Sequence, residues 1–214
     1  MIRSMTGFVF KREVISQGEV RINLRSTNFK YLDINIPRIP AGLEVLEKDI
    51  FRQIVKKIKR GRIEVNITTN FLDFQNISSQ DFLRIKKIFS LALGELLEFK
   101  KIQGQSIKKE IEELGASLKR RTASFKKYLK REGLSLGEDI LEEVSLISFY
   151  LSHLNKILSR KEKRPGKILD FLSQELLREI NTVLAKVKDK KLSLEAVYFK
   201  EEVDRLRELA QNIE

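Results

Sequence analysis

The sequence predicts an α+β protein: an N-terminal antiparallel sheet carrying one helix, followed by an all-α helical C-terminal domain. Three observations predict it. Residues 1–75 hold short runs that alternate apolar and polar, from about residue 79 the apolar residues recur at helical spacing, and the punctuation falls between these runs. The expected organisation is an α+β domain over 1–75, a helical connector over 76–138, and a helical domain over 139–214.

Each element follows from its residues. Glu19–Arg25 alternates, with Val20, Ile22 and Leu24 on one face, and Tyr31–Ile36 repeats the pattern up to Pro37, which cannot donate to a ladder. Leu43, Leu46, Ile50, Ile54 and Ile58 mark a helix over 43–59. Gly61 ends it, and Arg62–Thr68 alternates again. In the helical part, Gly104, Gly133, Gly137 and the Arg164-Pro165-Gly166 turn are read as breaks. Pro165 suits the first turn of a helix running to about Val187, and a last helix runs from about Leu192 to the end.

Composition narrows the function classes. Hydrophobic residues are 42% and charged residues 34% of 214, which suits a water-soluble, helix-rich protein. No apolar stretch approaches the roughly 20 residues of a membrane span, and no secretory leader pattern opens the chain, so a cytoplasmic location and no membrane partner are expected. The absence of cysteine excludes disulfides, thiolate zinc sites and cysteine nucleophiles. A single histidine, His153, excludes a multi-histidine metal site. The net charge of +12 points to a polyanionic partner, nucleic acid first.

The helix over 165–187 concentrates the chemistry. At about 100° per residue, Leu169, Leu172, Leu176, Leu177, Ile180, Val183, Leu184 and Val187 gather on one side. Glu175, Arg178, Glu179 and Thr182 form a polar stripe opposite, with Asp170 and Asn181 on its flank. Glu175 and Glu179 are four apart, so two hard carboxylates can address one divalent cation. Arg178 stands where it can neutralise Glu175 or contact a phosphate. The same spacing also fits an ordinary solvated helix face. His153 is either a packed helix residue or a general acid/base.

Cationic clusters suit a phosphate backbone: Lys57, Arg60 and Arg62 around the first helix-to-strand turn, and Arg160, Lys161, Lys163, Arg164 and Lys167 before the acidic helix. A further basic run lies at Lys119–Arg131. The sequence holds no ribonucleoprotein-type aromatic motif, zinc finger or P-loop.

Several blocks resemble the YicC/YloC family of bacterial endoribonucleases, in that family's order: I-R-S-M-T-G-F at 2–8, R-S-T-N-F-K-Y-L-D-I at 25–34 and K-R-G-R-I-E-V at 59–65, then S-H-L at 152–154. G-K-I-L-D-F-L-S-Q-E-L-L-R-E-I-N-T at 166–182 and R-E-L-A-Q-N-I-E at 207–214 complete the set. The resemblance implies divalent-metal-dependent cleavage of RNA, with Mn²⁺ or Mg²⁺, by a ring-like homo-oligomer, a hexamer. It carries Asp170, Gln174, Glu175, Arg178, Glu179, Asn181 and Thr182 over as motif positions, with Arg207, Gln211, Asn212 and Glu214 at the terminus and His153 at the Ser-His position. Glu175, Glu179, Glu214 and Asp170 are then the metal candidates. Glu175, Glu179, Arg178 and His153 are the catalytic candidates. Arg207, Gln211, Asn212 and Glu214 are expected to wall a site opposite Glu175 and Glu179.

The chain departs from the pattern too. Phe29 replaces a histidine of the N-terminal segment, Leu177 replaces an asparagine, and the middle helical region is short. Two rival functions therefore stand beside metal-dependent cleavage: a non-catalytic oligomeric RNA-binding protein, and a structural oligomer whose charged stripes make subunit contacts.

Overall fold

A computed structural model describes residues 2–40, 42–70, 77–132, 137–159 and 164–214. The element order is β1 (Gly7–Ile15), β2 (Gly18–Thr27), β3 (Leu32–Arg38), α1 (Val45–Lys57), β4 (Gly61–Thr69), α2 (Ser79–Glu132), α3 (Gly137–Ser159), α4 (Pro165–Lys186) and α5 (Lys190–Gln211). The α+β architecture is as expected, sheet first and helices after. None of the described helices is long and apolar enough to cross a membrane.

Two compact units divide the chain, one of residues 3–104 with Glu214, the other of residues 1–2 with 105–213. The first is built on a four-stranded sheet in the order β1-β2-β4-β3. β1 and β4 both pair antiparallel with β2, whereas β3 lies parallel to β4, so the sheet is mixed rather than purely antiparallel. The reason is α1: a helical crossover between β3 and β4 brings β4 in beside β3 running in the same direction, which a hairpin cannot do. One sheet face carries the buried Val9, Val20, Ile22, Leu24, Ile63 and Val65, packed with Leu46, Ile50 and Ile54 of α1 and with Phe89, Leu93 and Leu96 of α2. The five residues that marked α1 in the sequence are all buried.

The N-terminal S-M-T-G segment docks on α2. Ser4 N–H donates to the Lys100 carbonyl at 2.8 Å, the Thr6 hydroxyl donates to Gln103 at 3.3 Å, and Met5 is fully buried. Gly7 continues this approach; a Cβ there would stand 2.8 Å from Leu96 Cδ1. Gly61 adopts φ 106°, a left-handed conformation that favours glycine, and its N–H donates to the Tyr31 carbonyl.

In the second unit the later part of α2 packs with α3, α4 and α5 around Leu118, Phe125, Val144, Ile147, Leu176 and Phe199, among others. The break expected at Gly104 does not occur: α2 runs unbroken from Ser79 to Glu132. A lone glycine costs a helix only about 1 kcal/mol, which packing along 54 residues overrides. Gly133 lies outside the described residues, while Gly137 opens α3 as expected.

Candidate active site on the acidic helix

α4 begins with Pro165 in its first turn, where no intrahelical N–H is required. Its apolar stripe is the one the sequence indicates: Leu169, Leu172, Leu176, Ile180 and Val183 are buried, with Leu177, Leu184 and Val187 at the margin. Burying that stripe fixes the rotation of the helix, and with it the direction of every polar side chain. The polar residues separate into two edges, Asp170 with Gln174 on one and Glu175 with Glu179 on the other, about 140° apart round the helix at about 100° per residue.

The first edge faces α5. Asp170 accepts from Gln174 at 3.0 Å, from Gln211 at 3.2 Å and from Arg207 Nε at 3.4 Å. Here the helices come very close: a Cβ on Gly166 would stand 2.8 Å from the Ala210 carbonyl oxygen. Four motif residues thus satisfy one another at a helix crossing that only glycine permits. The expected wall residues Arg207 and Gln211 have Asp170 as their partner. Asn212 caps α5 and its amide donates to the Glu208 carbonyl at 3.1 Å.

The second edge faces α3. Glu179 is only 8% exposed, and burial raises its carboxyl above the ordinary 4.5. Arg178 opposes this, while Glu143, Glu175 and Glu142 add to it. Glu143 is itself buried. One of its oxygens accepts from Lys186 at 2.8 Å, and the other has no hydrogen-bond partner among the described residues. Glu175 is partly buried, with a loose 4.0 Å ion pair to Arg178, whose own side chain is 77% exposed. Thr182 turns its hydroxyl to the Arg178 carbonyl, and Asn181 is exposed.

The other candidates lie elsewhere. His153 Nδ1 lies 2.9 Å from the Phe149 carbonyl, and the ring packs against Phe149 tilted by 53°, 4.5 Å between centroids. It lines an apolar groove of about 250 Å³ with Ile168 and Phe171. Ten residues of α3 separate it from Glu143, about 15 Å along the axis. Glu214 belongs to the sheet-bearing unit. One carboxylate oxygen accepts from the Lys59 N–H at 2.9 Å and the other pairs with Lys100 at 3.1 Å. Lys100 is fully buried; desolvation lowers its pKa, and Glu214 works against that shift.

Of the cationic residues, Arg164 and Lys167 stand exposed at the start of α4, and Lys57 is exposed at the end of α1. Arg62 pairs with Asp33 at 2.6 Å and lies over the Phe29 ring, while Arg60 donates to the Phe29 carbonyl. Arg160, Lys161 and Lys163 lie outside the described residues.

Glu143 and Lys100 are not among the residues expected from the motifs, although both carry a signal. Ile140, Val144, Ile147 and Leu151 set the buried phase of α3, and Glu143 falls within it. Lys100 likewise follows Leu93 and Leu96 on the buried face of α2. A charge in the buried phase of a helix is unusual unless paired or functional.

Whether these residues suit a divalent cation can be judged from their donors. No group of three or more acidic or histidine side chains is gathered to enclose an ion among the described residues. Glu175 and Glu179, one turn apart, match instead an ion that keeps several waters and takes one or two carboxylates, with Glu143 adding negative charge felt at Glu179.

Comparison with known proteins bears on the same segments. Residues 2–138 match the family described as "Endoribonuclease YicC-like, N-terminal region", and residues 98–214 match "Endoribonuclease YicC-like, C-terminal". A protein of Clostridioides difficile named "Probable endoribonuclease YicC" is 24% identical over 301 aligned positions spanning all of both chains. That alignment is longer than the 214 residues here, so part of the relative has no counterpart in this chain. A protein of the same name from Haemophilus influenzae is 34% identical over 76 residues, 36% of this chain and 26% of the relative. With one or other family description matching every residue from 2 to 214, the chain belongs to the YicC-like endoribonuclease family.

Proposed function

We propose that the chain is a divalent-cation-dependent endoribonuclease whose chemistry sits on the α3-facing edge of α4. The observation that carries this is Glu179: a buried carboxylate that feels the negative charge of Glu143 and Glu175, on a helix whose other polar edge is tied up by Gln174, Arg207 and Gln211 on Asp170. Carboxylates crowded in this way, with perturbed protonation, are more common at reactive sites than in scaffolding. Glu175 and Glu179 hold the cation, Mn²⁺ or Mg²⁺. Glu143 lends negative charge behind them and is itself steadied by Lys186. When bound, the cation supplies charge neutralisation at the scissile phosphate and acidifies water. Arg178, exposed one turn away, reaches for the phosphate oxygens. Arg164 and Lys167 at the start of α4 bind the RNA backbone. Asp170 and Glu214 take no part as ligands in this reading, because both are engaged by protein partners.

The test is cleavage of an end-labelled RNA with Mn²⁺ or with EDTA, by the parent chain and by the Glu175→Gln, Glu179→Gln double variant. Cleavage that needs the cation and is lost in the variant upholds the reading. Equal cleavage with EDTA, or an unimpaired variant, overturns it. Salt-sensitive RNA binding with no cleavage under any cation establishes the non-catalytic RNA-binding protein instead.

A further inference from the structure

The face of the sheet turned away from α1 and α2 has a composition that fold stability does not require. Alternation places Phe8, Phe10, Arg12 and Val14 of β1 on it, with Arg21, Asn23 and Arg25 of β2 beside them. Phe8 is 59% exposed and Phe10 48%. The strand register sets these residues in rows: Phe8 opposite Arg25, Phe10 opposite Asn23, and Arg12 opposite Arg21. The second row continues into β4 with Asn66.

Two features of this arrangement ask for a ligand. The first is the pair of exposed rings two residues apart on an edge strand, about 7 Å from one another, each bordered by a polar or cationic neighbour. The second is Arg12 directly across from Arg21, a like-charge pairing that destabilises a sheet unless an anion lies between. Glu19 engages Arg21, whereas Arg12 and Arg25 make no ion pair among the described residues. Acidic residues of this face lie mainly toward its other side, Glu64 on β4 opposite Arg25 and Asp33 on β3 paired with Arg62. The β1–β2 half therefore carries three guanidinium groups against one carboxylate, interleaved with aromatic rings and an amide.

We propose that this half of the sheet binds single-stranded RNA. Bases stack on Phe8 and Phe10, phosphates lie along Arg12, Arg21 and Arg25, and Asn23 and Asn66 offer their amides to base edges. Aromatic faces serve any base and guanidinium groups follow any backbone, so the chemistry selects strandedness more than sequence. A protein partner would be served as well by the rings but has no need of paired arginines, which favours a polyanion. The proposal deepens the endoribonuclease reading: the sheet face selects unpaired RNA, and the acidic edge of α4 cleaves it.

Binding is measured by fluorescence anisotropy in EDTA, where no cation-dependent cleavage intrudes. The probes are an unstructured RNA oligonucleotide and a blunt RNA duplex of equal length. The Phe8→Ala, Phe10→Ala double variant should lose about tenfold or more in single-strand affinity, with duplex affinity kept within about twofold, because a duplex presents no free base faces. The Arg12→Ala, Arg25→Ala pair should flatten the log–log salt dependence of single-strand binding by about 1.4. Exposed positions leave the fold intact, which far-ultraviolet circular dichroism and the melting temperature check. Unchanged single-strand affinity, or an equal loss for duplex and single strand, overturns the proposal. So does an altered sedimentation coefficient with RNA affinity retained, which would make this face a protein contact. A parent chain that binds no RNA removes both the sheet site and the endoribonuclease reading. A binding parent with unaffected variants removes the sheet site alone.

Discussion

The two polar edges of α4 are drawn from the same run of motif residues, yet they differ in how far their needs are met. On the α5-facing edge, Asp170 collects Gln174, Arg207 and Gln211, and every partner comes from another motif residue. On the α3-facing edge, Glu179 is buried within the negative field of Glu143 and Glu175, and a buried oxygen of Glu143 goes without a hydrogen-bond partner among the described residues. A satisfied cluster at a close helix crossing is architecture. A crowded, incompletely satisfied one has a destabilising feature that folding alone does not explain. The contrast separates residues that spacing on one helix had put together.

The sharpest way to break the comparison is to remove the charge of the acidic edge. Replacing Glu175 and Glu179 with Gln should reduce cation-dependent RNA cleavage about a thousandfold in single-turnover assays. The apparent melting temperature without metal should stay the same or rise, since carboxylate repulsion is relieved. A large fall in melting temperature would make that edge scaffolding.

Next comes the terminal clamp. Glu214→Ala leaves fully buried Lys100 without its counter-charge, and breaking such a pair costs about 3 kcal/mol, read as a lower midpoint in urea. Deleting Gln211–Glu214 removes the clamp and one Asp170 partner together, and should abolish cleavage. A truncated chain with full activity would overturn the structural role given to the tail.

Gly166→Ala tests the crossing itself. The added methyl meets the Ala210 carbonyl oxygen at 2.8 Å, and overpacking of this kind costs about 1–3 kcal/mol. Cleavage per folded molecule should remain within about twofold. A smaller effect is expected for Asp170→Asn, because its partners are partly exposed: at most about 1 kcal/mol, with activity kept. Loss of metal affinity in that variant, measured by calorimetry, would move Asp170 from architecture to chemistry.

The finest distinction is the pH profile. Glu179 is raised in the folded chain, so the fold holds more protons than the unfolded chain just above 4.5. Stability from this group is complete below 4.5 and is lost as pH rises through its folded value. Metal binding needs the ionised carboxylate and strengthens over the same interval. Opposite slopes of melting temperature and Mn²⁺ affinity should therefore appear there, and both should flatten in Glu179→Gln.

Much of the fold was legible because periodicity encodes it directly. The stripe Leu43, Leu46, Ile50, Ile54 and Ile58 identifies α1, and the stripe on α4 sets which side of that helix is buried. Gly104 misled for a physical reason: glycine weakens a helix by an amount that long-range packing easily exceeds. The parallel placement of β3 on β4 was not legible, since alternation reports which face a residue occupies and not which way its neighbour runs. Glu143 and Lys100 were legible in principle as charges in a buried phase.

By itself, then, the sequence determined the sheet-then-helix order, the buried stripes of α1 and α4, the excess of positive charge and the family. Each of these depends on local spacing or on residue identity. Only the tertiary structure decided which polar residues meet. It joined Asp170 to Arg207 and Gln211, set Glu143 behind Glu179, anchored Glu214 on Lys100 and ranged Phe8 and Phe10 beside three arginines. Those pairings link residues up to 114 positions apart, as between Lys100 and Glu214, and depend on how helices and strands rotate to bury their apolar sides. No local pattern carries that rotation, and it divides a single charged stripe into an edge bound to α5 and an edge crowded with carboxylates against α3.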